Sequence, residues 1–146
     1  MGKFIITEEE KNRIRSLHEK SQEQLKYEEI QSLELSDCQR VVDNLSKDNI
    51  IANKNGLQNS FDEVVRRIKN SNGGMLLLND LILMMTSLCI FMQIMTTSKD
   101  KEWGIPKDFF QPMYNTTMGV EYHFNNSKAS KVILFLKEFR EMYENY

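Results

Sequence analysis

The side chains in this chain best suited to metal ligation or nucleophilic attack are His18, His123, Cys38 and Cys89. Metal sites draw on closely spaced pairs, CxxC or HxxxH, because ligands one turn apart converge on a single ion. No two of these four residues stand close enough in sequence to form such a pair. His18 lies in a charged stretch and is expected to face solvent. The cysteines sit among apolar residues and are expected to be buried thiols in a reducing compartment, since disulfide scaffolds are denser in cysteine and shorter. Asn72-Gly73-Gly74 lacks the spaced glycines and the Lys-Ser/Thr pair of a phosphate loop. The runs Glu8-Glu9-Glu10 and Glu28-Glu29 imitate paired carboxylates, but exposed helix acids are ordinarily solvated.

Asp80 is the acid that most needs a physical account, because it is the sole charge between Met75 and Met95. A carboxylate in apolar surroundings is costly unless a cation pairs with it. Arg66 and Arg67 precede it by roughly four helical turns of chain, with a break between, and either could answer it. A structural role is therefore expected, with a functional acid at Asp80 or His123 as the enzymatic alternative. No catalytic residue, cofactor site or metal site follows from these patterns. The other chemistry is aromatic: Trp103, Phe109, Phe110 and Tyr114 crowd a segment bounded by Pro106 and Pro112. Trp and Tyr are favoured anchors at protein interfaces, and loops often carry such contacts. These four are the candidate partner-binding residues, and replacing Trp103 and Phe110 is expected to abolish partner capture without unfolding the chain. The nine methionines have two readings, irregular core filling or an adaptable groove for a partner helix.

The elements that must position these groups are organised around Gly73 to Thr97, the one stretch that is apolar on nearly every side. Its Leu, Met and Ile content favours a helix, and its length excludes a strand. Its longest run without strongly polar residues, Leu81 to Met92, falls short of the roughly 18 residues a bilayer span requires. A core helix is expected, and a membrane span through 75–95 is the disfavoured alternative. Thr7 with Glu10, Ser36 with Gln39 and Ser60 with Glu63 have capping-box spacing and predict three helix starts. Cys38, Val41, Val42 and Leu45, then Phe61, Val64, Val65 and Ile68, each mark one buried helical face. Residues 46–56 are polar and predict a turn or loop. Thr116 to Phe124 alternates apolar and polar residues and predicts an extended segment or small hairpin arm. Asn126 or Ser127 is expected to cap a last helix whose face is Val132, Phe135, Leu136, Phe139 and Met142 or Tyr143.

A hydrophobic central helix wrapped by amphipathic ones, with Asn72-Gly73-Gly74 just before it, resembles the Bcl-2-type arrangement. The Trp and Arg which that family sets beside the glycine are absent here, and no site or function is carried over from it.

The chain is thus expected to be mainly α. A single helical bundle spans 1–146, with about five helices around the central one (73–97) and an irregular Pro/aromatic segment before the C-terminal helix. A net charge of −2 offers no electrostatic drive toward nucleic acid. The functional expectation is a non-enzymatic, cytoplasmic interaction or regulatory module, of the kind small viral or bacterial host-interaction proteins supply. Its partner would be another protein or a second copy of itself as a homodimer, with no nucleic acid and no cofactor.

Overall fold

The computed structural model describes residues 22, 24–71, 75–124 and 130–146. The expected cap at Thr7, His18, the Asn72–Gly74 break and the expected cap at Asn126 or Ser127 lie outside them. All regular structure among the described residues is helical, with no strand. After the helical residues 24–32 (α1), a 3-10 turn Leu35–Cys38 leads into α2 (Gln39–Asp43), α3 (Lys47–Ala52) and α4 (Lys54–Lys69). Then come α5 (Met75–Asp100), a 3-10 turn Lys107–Phe109, α6 (Gln111–Thr117), a 3-10 turn Val120–His123 and α7 (Ser130–Glu144).

The helices pack around α5, as its composition predicts. Its 26 residues rise about 39 Å, enough to touch α2, α4, α7 and the first 3-10 turn. Met84, Met85, Leu88, Phe91, Met92, Ile94 and Met95 are buried along it. By length and composition alone α5 is long and apolar enough to cross a bilayer, and half of its apolar window is buried inside the fold. Contacts give the directions of its neighbours. Phe61 on α4 meets Phe91 edge-on at 5.4 Å, while Arg67, further along α4, reaches back to Asp80; α4 is antiparallel to α5. Phe139 on α7 lies 6.0 Å from Phe91, and Tyr146 bonds Ser98; α7 runs parallel to α5.

Phe61, Val64, Val65 and Ile68 form the buried face of α4, and Val132, Phe135, Leu136 and Phe139 that of α7, as the spacing predicts. The cysteine expectation is corrected. Cys38 and Cys89 form a disulfide with Cα atoms 5.9 Å apart, closing a sequence separation of 51. Two short helical pieces carry Cys38 onto α5, and sequence spacing has no means of expressing that contact. The second capping box begins at Glu34 and closes on Asp37 rather than Ser36 and Gln39. The expected loop at 46–56 is instead α3 and the start of α4. Ser46 accepts from the Asn49 amide to cap α3, and buried Ile50 anchors it. Ser60 consequently lies inside α4 and starts nothing. The expected hairpin arm is the end of α6 and a 3-10 turn, entered through Gly119 at φ 75°, a conformation that suits glycine. Val120 is buried there, whereas Tyr122 is 83% exposed.

Candidate interaction surface

Asp80 has the cation partner its apolar surroundings call for. Arg67 Nε donates to Asp80 Oδ1 at 3.1 Å, with the Asp80 side chain only 14% exposed. The pairing follows from the antiparallel return of α4 along the start of α5. His123 ends a 3-10 turn at the surface. Among the described residues, no three of His, Cys, Asp and Glu converge as metal ligands would.

The aromatic residues divide by burial. Phe109 is 3% and Phe110 0% exposed, and their rings pack edge-on at 4.9 Å. A change at Phe110 therefore empties part of the core before it alters any surface. Trp103 and Tyr114 are half-buried. Lys101 sits 5.6 Å over the Trp103 ring. Tyr114 stacks on Tyr143 at 4.3 Å and donates to Glu144 Oε1 at 3.1 Å. That bond to a carboxylate, above all, raises the Tyr114 phenol from its ordinary value. The structure does not assemble the four into one exposed patch.

What it does assemble lies where α5 and α7 end. The α5 terminus closes by paired bonds, Glu102 N to Lys99 O at 3.3 Å and Trp103 N to Ser98 O at 2.9 Å. Glu102 takes φ 53° at the turning position; this is the Schellman pattern, which satisfies the last carbonyls of a helix. The chain then returns past buried Ile105. Tyr146 Oη donates to Ile105 O at 2.5 Å, and the Ile105 amide donates to Ser98 Oγ at 3.3 Å. The tyrosine's one proton is thus spent, so Ser98 donates to Tyr146 Oη across 2.8 Å. Lys99 Nζ donates to Asn145 O and Lys107 Nζ to Glu144 O, each at 3.2 Å. Arg140 fastens α7 to the preceding turn through Glu121, at 3.0 and 2.6 Å, and through the Thr117 carbonyl. This pairing holds the Glu121 carboxyl below its ordinary value.

Between these pinned ends a groove of about 450 Å³ opens to solvent. Met95, Thr96, Lys99 and Asp100 of α5 form one wall; Glu138, Glu141 and Met142 of α7, with Asn145 just past its end, form the other. Leu35 and Tyr146 complete the lining, which is mostly apolar. Leu35 is held there by Gln93 Nε2, which donates to its carbonyl at 2.9 Å. Of the signals in the sequence, only the methionine content hinted at this surface. The carboxylates looked like ordinary solvated helix charges, and nothing in the spacing shows α5 and α7 ending side by side. No protein-family model, curated protein or solved structure matches the chain.

Proposed function

We propose that this chain is a non-enzymatic helical interaction module that receives a partner protein in the groove between the ends of α5 and α7. The supporting observation is the groove itself, an apolar, solvent-open cleft between two helices. Exposed apolar concavities with a polar rim are the surfaces proteins use for recognition. Met142, half-buried on the α7 wall, adds a side chain that repacks around different contacts. The rigid pinning of both helix ends keeps the cleft formed without a ligand, which lowers the ordering cost of binding.

A photo-crosslinking residue at Thr96, in the groove, and another at Asp48, on the exposed side of α3, test this in extract of the source cells. The groove position should yield a discrete protein adduct that excess unlabelled chain competes away, and the α3 position should not. Adducts at both positions alike, or at neither, would remove the groove as the interaction surface.

A further inference from the structure

Resting on that assignment of the groove, the geometry points to its occupant: we infer that it takes a basic amphipathic helix, with aliphatic residues on the floor and lysines or arginines along the rim. Because α5 and α7 run parallel, both deliver their C-terminal ends to this place, and the negative poles of two helix dipoles add there. Lys99 and Lys107 are already drawn to the Asn145 and Glu144 carbonyls, the local response such a field favours. Three carboxylates line the same groove, Asp100, Glu138 and Glu141, and none takes part in an ion pair among the described residues. Lys99, the cation in the lining, is occupied by Asn145 O and lies 5.5 Å over the Tyr146 ring. The lining thus sets three carboxylates against one cation, Lys99, above an apolar floor of Leu35, Met95 and Met142.

The shape selects the form of the partner. Two neighbouring helices present ridges and a trough into which a third helix packs by the same rules that build bundles. An extended strand would need an open sheet edge for its backbone, and no strand exists among the described residues. A helix with aliphatic residues at i, i+3 and i+7 and basic residues beside them meets both demands. An anionic lipid surface would be repelled by the same carboxylates.

The test uses the full chain with labelled methionine methyl groups and two synthetic helical peptides. Both peptides have leucines at i, i+3 and i+7; one carries flanking lysines, the other glutamates in their place. The lysine peptide should bind by fluorescence anisotropy, shift the Met95 and Met142 methyl resonances, and weaken as salt rises. Glu138→Lys combined with Glu141→Lys should reduce its affinity by about tenfold or more, as like charges brought together at an interface do. Glu141 is exposed and Glu138 half-buried along the groove, and neither belongs to the buried face of α7, so circular dichroism should confirm the fold is kept. Equal binding of the two peptides overturns the basic preference while leaving the groove as a docking surface. Binding of neither peptide overturns the proposed occupant, and the crosslinking result then decides separately whether the groove receives any protein. Methyl shifts that depend on protein concentration without peptide would assign the groove to a second copy and likewise overturn the proposal.

Discussion

At the scale of single residues, Arg140 and Glu121 show how a half-exposed pair can matter. Arg140 is 18% and Glu121 32% exposed, and the guanidinium reaches both carboxylate oxygens and the Thr117 carbonyl. Charge-assisted bonds of this two-pronged kind are the stronger ones. Glu121→Gln should cost about 1–2 kcal/mol at neutral pH, read as a lower urea midpoint. The pH sense follows from the direction of the shift. The folded carboxyl titrates below the ordinary value of 4.5, so its stabilisation is complete above that value and is lost as pH falls through the lower folded one. The difference between wild type and Glu121→Gln should therefore shrink in acid; a constant difference from neutral to strongly acidic pH would refute the pairing. Asp80 teaches the complementary lesson. Its need for a cation is legible from the apolar run around it, and Arg66 and Arg67 are the neighbours on offer. Only the crossing of α4 selects Arg67.

At the scale of elements, the short pieces before α4 depend on their attachment more than on themselves. The turn Leu35–Cys38 and α2 hold four and five residues, too few for an isolated helix, because nucleation is costly. They are held to α5 by Cys38, buried Val42 and the Gln93 bond to Leu35 O. With a sequence separation of 51, a chain-entropy estimate puts the Cys38–Cys89 bridge at about 4 kcal/mol. Reductant, or replacing both cysteines by Ala, should lower the denaturation midpoint accordingly, and the double variant should no longer respond to reductant. Free-thiol titration of the unfolded, unreduced chain should find none. Two titratable thiols and a midpoint indifferent to reductant would return the cysteines to the unbridged state. The longer elements were legible because their burial repeats along the chain. Phe61 to Ile68 and Val132 to Phe139 each carry several apolar residues at helical spacing, a signal that survives any particular packing. Ser46 to Gly56 has no such repetition, since α3 is a single capped turn and a half around Ile50. Val120, Tyr122 and Phe124 alternate like a strand, yet Val120 and Tyr122 lie in a 3-10 turn, with Val120 buried, Tyr122 exposed and Phe124, just after the turn, partly buried against the core.

For the molecule as a whole, α5 is the test of the architecture. It is apolar and long enough to cross a bilayer, yet α4, α7 and α2 with its preceding turn all pack against it and half of its apolar window is buried. Light scattering behind size exclusion, without detergent, should find a compact species that stays in solution. Aggregation rescued only by detergent would place α5 in lipid and dissolve the bundle reading. A stable dimer would place part of the half-exposed apolar surface, such as Leu83 on α5 or Leu134 on α7, between subunits.

By itself the sequence determined that the chain is helical, that 73–97 contains its centre, and which faces of α4 and α7 turn inward. Those conclusions rest on composition and periodicity, which are local properties of a chain. The tertiary structure alone decided that Cys38 meets Cys89, that Arg67 rather than Arg66 answers Asp80, and that Phe109 and Phe110 belong to the core. It also decided that α5 and α7 end together around an acid-rimmed groove. Each of these depends on which distant segments become neighbours and in which direction they run. That is set by the joint burial of many faces at once, and no single stretch of residues carries it.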